Sequence, residues 1–170
     1  GLHVRGRLRP VLSGHLADLV LAPVEVDGGA VWCALELTPE QREELPSVDL
    51  TRRVGELNVD TVVATDRQLP ALDAASARDA AAVLVAAEAV GAAQWCVNTA
   101  AEHAKTRVQF GRPIGQFQGV KHRCADMVCR VELARAAAWD AARAVDGEAA
   151  ALAVASALAL ALDAAFSNAK

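Results

Sequence analysis

The chain has 170 residues, 54% of them apolar, and its 17 Lys and Arg against 21 Asp and Glu leave a formal charge of -4. That length buries the core of one domain or of two small ones, and aromatics at 4% with no Tyr exclude a globally basic, base-stacking nucleic-acid surface. Cys33, Cys96, Cys124 and Cys129 have no CxxC or Cys/His metal spacing, so no metal is expected, the thiols read as small buried apolar groups, and the expected compartment is a reducing cytoplasm.

From Gly1 to about Pro70, turn residues punctuate short β-prone runs: "LHVRG", "LRPVLSG", "DLVLAPVEV" and "AVWCALEL". This predicts an antiparallel β domain over 1–70, with Asp27-Gly28-Gly29 as a hairpin turn because glycine tolerates positive φ. "TPEQREELP" reads as a polar connection, "VGELNVDTVVAT" resumes as a strand, and the sheet is expected to end near Leu69-Pro70.

From Asp73 the period changes. Val83, Ala87, Val90, Ala93 and Val97 fall at the i, i+3/i+4 spacing of a helix. Gly111, Pro113 and Gly115 break it, and a second helix is predicted from about Gln116 to Val145, with Val120, Met127, Val131, Ala134 and Ala138 on one face. Asp146-Gly147 is expected to end it, and a third helix to begin near Glu148. The uncharged apolar run between Glu148 and Asp163 has fourteen residues, short of the roughly 20 that cross a bilayer, so it reads as a core helix rather than a membrane span. Residues 71–170 are therefore expected to form an up-and-down helical bundle. The fold class is α+β, an antiparallel β domain followed by that bundle. A chain that opens inside strand-like text and stops in helical text reads as part of a longer protein. An apolar stripe along Leu152, Ala155, Leu158 and Leu162 is expected to be covered in a dimer or tetramer.

Positive charge is gathered at one place. Lys105, Arg107, Arg112, Lys121 and Arg123 lie between His103 and Arg123 with no Asp or Glu among them. A solvated corner between helices is one reading. The other is an anion site, because a helix end, a Gly/Pro turn and a new helix N-terminus bring backbone N–H groups, a helix dipole and a forked guanidinium to one spot.

The stretch "RVQFGRPIGQFQGVKHRCADM" resembles the signature R-x-x-F-G-x-x-I-x-x-F-Q-x-x-x-x-x-x-A-D-M of the acyl-CoA dehydrogenases. Arg107, Phe110, Gly111, Ile114, Phe117, Gln118, Ala125, Asp126 and Met127 are in register with it. "AAEAVGAAQ" is similar to the family's A-A-x-x-x-G helix, and "DLTRR" and "SGHLADLVL" to its middle β domain. The resemblance implies that 1–70 is most of the middle domain and 71–170 the first part of the C-terminal bundle. An N-terminal helical domain would precede Gly1, and a Gly-rich loop would follow Lys170. It implies FAD as cofactor and an acyl-CoA thioester, fatty or from a steroid side chain, as substrate for α,β-dehydrogenation. Carried over to this chain, Arg107 would pair with the FAD pyrophosphate, Phe110 would pack on the ADP moiety and Gln118 would hydrogen-bond near it, at a site shared with a neighbouring subunit. Asp126 is expected to pair with an Arg of a neighbouring helix, and His103 and His122 to be surface residues.

Two departures stand against the matches. The family writes Trp-Ile-Thr/Ser where this chain has Pro10-Val11-Leu12, so the indole and hydroxyl beside the flavin ring are lost. Where some members carry a catalytic Glu and a neighbouring Arg, this chain has Ala81-Ala82, and Asp79 and Glu88 fall on other helix faces. The catalytic base is therefore unassigned. These losses resemble heteromeric bacterial acyl-CoA dehydrogenases whose two different subunits share a site, and the expected function is a subunit supplying the ADP end of the FAD site. The alternative is a non-catalytic structural or regulatory partner. Nucleic acid and membrane are not expected partners.

Overall fold

Strand alternation shapes the first part of the chain, as seen in a computed structural model describing every residue except Val145, Asp146 and Glu148. The chain divides into two units, Gly1–Ala74 and Ala75–Lys170. In the first, β1 (Leu2–Leu12) pairs antiparallel with β5 (Val54–Val63), which also pairs with β4 (Arg42–Leu45). A second sheet has the order β2 (Leu19–Val26), β3 (Gly29–Glu36), β6 (Gln68–Leu69). Asp27 and Gly28 turn β2 into β3, with Gly28 at φ 94°, as the sequence predicts.

Val4, Cys33, Leu35, Leu37, Leu57, Val59 and Val63 come from both sheets into one core. Burial pushes the Cys33 thiol above its ordinary range. Opposite Val4 and Leu8, β1 turns out a row of cations. Glu56 on β5, only 6% exposed, is held by Arg9 Nη1 at 3.0 Å and Arg7 Nη1 at 3.5 Å. A carboxylate so far out of water persists because these guanidinium groups face it.

The expected polar connection after Thr38 is instead partly a strand. Arg42–Leu45 pairs with Val54–Leu57. Arg42 turns inward, and its guanidinium donates to the Asp18 carboxylate at 2.7 Å, to Ala17 O at 3.0 Å and to Thr38 O at 3.2 Å. Those acceptors satisfy a cation that makes the segment look fully solvated in the sequence.

The second unit has α1 (Ala74–Thr106), a short hairpin of β7 (Val108–Gln109) and β8 (Arg112–Pro113), then α2 (Gln118–Ala144) and α3 (Ala150–Asn168). The expected end of the second helix at Val145 and Asp146, and the expected start of the third at Glu148, lie outside the described residues. The three helices share a core of Ala86, Ala93, Ala134, Ala141, Ala157 and Ala161 with Val90, Val97, Val131, Val154 and Met127. On α1 the buried face runs through Ala86, Ala89, Val90, Ala93 and Val97, with Ala87 exposed. The predicted stripe is thus rotated at its N-terminal end. On α3, Leu152 and Leu162 are exposed as expected. Trp95 on α1 and Trp139 on α2 also face outward, at 67% and 61% exposure.

By length and composition, α1 and α3 are each long and apolar enough to cross a membrane. The fourteen-residue run underestimates α3, which continues through Asp163 to Asn168. In the bundle both helices place alanine in the shared core, where the small side chain permits close packing.

Candidate cofactor-binding corner

The end of α1 sets the corner. Thr106 Oγ1 donates back to Glu102 O at 3.0 Å, competing with the backbone ladder, and Arg107 N–H closes the last turn on His103 O at 2.9 Å. The chain then reverses in a hairpin whose register pairs Val108 with Pro113 and Gln109 with Arg112. Ile114 N–H donates to Arg107 O at 2.8 Å and locks its base. The two turn residues, Phe110 and Gly111, both have positive φ, 52° and 75°, the conformation that a two-residue hairpin demands. Glycine occupies it freely, whereas Phe110 does so at a cost on the order of 1 kcal/mol.

That cost is not offset by burial, since Phe110 is 92% exposed. Its ring meets Phe117 edge-on, with centroids 6.1 Å apart and planes at 84°. The Arg112 guanidinium lies 4.3 Å from the centre of the Phe117 ring, a cation–π contact that holds it beside the turn. Gly115 lets the hairpin sit close on α1, because a Cβ there would approach Ala104 O to 2.9 Å. Behind the hairpin opens a cavity of about 500 Å³ whose walls include Ala101, Ala104, Val120 and Cys124.

Charge at the corner is more open than the sequence alone reveals, with one exception. Lys105 Nζ pairs with Glu102 at 2.6 Å. Arg107, Arg112, Lys121 and Arg123 have no carboxylate partner among the described residues and are exposed. The first turn of α2 carries no acid, leaving its positive dipole end to an outside anion. Gln118 opens α2, and its Nε2 lies 2.9 Å from His122 Nε2 one turn on.

Arg107, Phe110 and Gln118 are thus placed on one hairpin and the helix start that follows it. The Arg112–Phe117 stack and the Gln118–His122 bond were not anticipated, although the i, i+4 spacing of the second pair was a readable signal. The expected partner of Asp126 on a neighbouring helix is not found among the described residues. Asp126 lines a cleft of about 440 Å³ with Arg123 and Arg130 of its own helix and Lys170. Cys129, expected to be buried, is exposed.

Residues 73–168, more than half of the chain, match the sequence profile "Acyl-CoA dehydrogenase, C-terminal domain". The chain belongs to the acyl-CoA dehydrogenase family. It is 40% identical to acyl-CoA dehydrogenase FadE34 of Mycobacterium tuberculosis over 97% of its length, and spans 23% of that protein. It is 37% identical to acyl-CoA dehydrogenase IpdE2 of Mycolicibacterium smegmatis over 84% of its length, and spans 42% of that one. Among solved structures it is similar to the ChsE4-ChsE5 complex of Mycobacterium tuberculosis, with a TM-score of 0.84 and 29% identity over 98% of this chain and 47% of the other. The chain therefore covers less than half of each relative.

Members of this acyl-CoA dehydrogenase family are FAD-dependent flavoproteins, and the corner can be tested against that cofactor. Unpaired, exposed guanidinium groups suit a diphosphate, and a bare aromatic ring suits a flat heterocycle. The donor set fits the ADP end. In the β unit, Leu12 closes β1 half-exposed, followed by Ser13 at φ 54°. On α1, Asp79 pairs with Arg78 at 3.5 Å and Glu88 is exposed, and neither is assigned as a base.

Proposed function

We propose that this chain supplies the grip on the ADP end of FAD in an acyl-CoA dehydrogenase whose site is shared with a second, like or unlike, acyl-CoA dehydrogenase-type subunit. The observation that carries the proposal is the exposed hairpin tip, with Phe110 held left-handed and bare beside two cations, Arg107 and Arg112, that lack acidic partners. Strain of this kind persists where a ligand or partner uses the geometry. When bound, FAD supplies the hydride acceptor for α,β-dehydrogenation of an acyl-CoA thioester, fatty or steroid-derived. Arg107 would hold the diphosphate, Phe110 would pack on the ADP moiety, and Gln118 would hydrogen-bond near it. No catalytic base is assigned among the described residues. Similarity to a chain of the ChsE4-ChsE5 complex supports a heteromeric arrangement.

The test is the visible absorption spectrum of the protein co-expressed with a candidate partner. Flavin bands that bleach on anaerobic addition of an acyl-CoA are the expected result. Arg107→Ala is expected to lower FAD affinity roughly tenfold or more, the worth of a charge-assisted hydrogen bond. Unchanged retention would sink the assignment. A second reading, a structural partner without chemistry, is favoured by Leu12 and by Ala81-Ala82. A stable, colourless complex with every partner would establish it instead.

A further inference from the structure

Further along α2, the cleft of about 440 Å³ at the end of α3 gathers charge that the corner does not use. Arg123, Asp126 and Arg130 line it from α2, spaced so that the carboxylate stands one turn from either guanidinium. Such spacing favours an ion pair, yet none joins Asp126 to either Arg among the described residues. Lys170 lines the cleft as well, its Nζ 3.7 Å from the centre of the Phe166 ring. Three cations thus stand round one acid, and both arginines are exposed.

Asn168 sets this cleft apart from a solvated helix face. It lines the cleft at only 7% exposure, and its Nδ2 donates to Met127 O at 3.2 Å, tying α3 to α2. The amide cannot turn over without setting its oxygen against the Met127 carbonyl, acceptor on acceptor. Oδ1 is therefore buried with no donor among the described residues, which is costly until a donor arrives. The cleft asks for carboxylates on its arginines and an N–H on its amide oxygen. An acidic stretch of polypeptide carries both, the charge on its side chains and the donor on its main chain. A fully ionised small anion brings only the first.

We infer that this cleft docks an acidic segment of the second subunit, its carboxylates on Arg123 and Arg130 and a main-chain N–H on Asn168 Oδ1. The choice of partner rests on the reading of the corner as a shared FAD site. His122 lines the cleft and lies 2.9 Å from Gln118, so a subunit that completes the cofactor site over Gln118 continues onto the cleft. Complementary charge there fixes the register in which that subunit meets the corner.

The experiment is assembly of the full-length protein with its acyl-CoA dehydrogenase-type subunit, like or unlike, after removal of flavin, followed by sedimentation over a range of protein and salt concentrations. Arg123→Glu with Arg130→Glu is expected to weaken assembly about tenfold or more, and to flatten its dependence on salt. Both side chains are exposed, so the helical circular dichroism should match the wild type. Should the reversed pair not fold, Arg123→Gln with Arg130→Gln is expected to show the same loss in smaller degree. Asn168→Ala is expected to weaken assembly about three- to tenfold, one neutral hydrogen bond being lost. Unchanged assembly of the folded arginine variants overturns the inference. In Arg130→Lys, a carbodiimide should join the lysine to an acid of the other chain. A cross-link confined to one chain overturns the inference too, since the cleft then closes on its own polypeptide. Arg107→Ala separates the two readings, because it should release FAD and leave assembly intact. If it keeps FAD like the wild type while the reversed pair still splits the complex, the cofactor reading fails and the docking surface stands.

Discussion

The two units build their cores from opposite materials. In the β unit the buried cluster is Leu35, Leu37, Leu57, Cys33 and three valines, with Ala22 its only alanine. In the helical unit eight of the thirteen residues of the core cluster are alanine among the described residues, and none is leucine or aromatic. A sheet pair needs long side chains because its faces stand about 10 Å apart. Helices lined by alanine instead close the gap with backbone, and send Leu84, Leu133, Leu152, Trp95 and Trp139 outward. The β core should therefore fail when atoms are removed and the helical core when atoms are added.

The sharpest way to break this contrast is Leu57→Ala, at a residue with no exposed surface. It should cost about 2–5 kcal/mol through lost burial and the cavity left behind, read by denaturant unfolding of the chain. Next comes the converse substitution, Ala134→Leu, at an equally buried position. It should cost about 1–3 kcal/mol by overpacking, while Ala136→Leu on the exposed side of the same helix stays within about 0.5 kcal/mol. Equal effects at 134 and 136 would refute the close-packed seam. Smaller again is Arg9→Ala, which leaves the buried Glu56 with only the longer contact to Arg7. The guanidinium is half-exposed, so the loss is about 1–2 kcal/mol rather than that of a fully buried pair.

The smallest effect is a titration. The Asp49 carboxylate accepts from Thr51 Oγ1 at 2.7 Å and from Thr51 N–H at 2.9 Å, and these bonds hold its pKa below the ordinary 3.8. The folded value is the lower one, so the stability it contributes is complete above 3.8 and lost as the pH falls through that folded value. A carboxyl NMR titration should give a midpoint below 3.8, and Asp49→Asn should remove only that carboxylate's share of the acid-side dependence. A midpoint at or above 3.8 would mean that the Thr51 bonds do not form in solution.

Sequence reading reached the strands with clear alternation, the Asp27-Gly28 turn and all three helices, because period and turn chemistry are local. It missed β4 because the contacts that permit it are distant. Arg42 is satisfied by Asp18 and Ala17, more than twenty residues earlier, and nothing within "REEL" announces them. It rotated the buried face of α1 for another reason. Alanine fills both the core and the exposed faces of that helix, so the apolar period loses its contrast between Ala86 and Ala87. At the corner, Arg107, Phe110 and Gln118 were readable as a motif, but the hairpin between them looked like a simple break. Two short strands fixed by the left-handed pair Phe110-Gly111 are too small to carry a periodic signal.

The outward indoles determine what can be learned optically. The chain has no Tyr and three Trp, two of which, Trp95 and Trp139, stand in solvent on the helical unit. Their emission is expected near that of hydrated indole in the folded chain, so unfolding should shift the signal of these two little, leaving half-buried Trp32 as the indole that reports on it. Docking of a partner over either helix should move the emission of the exposed pair to the blue. Intrinsic fluorescence of this protein is therefore a gauge of assembly, and its folding is better followed by circular dichroism.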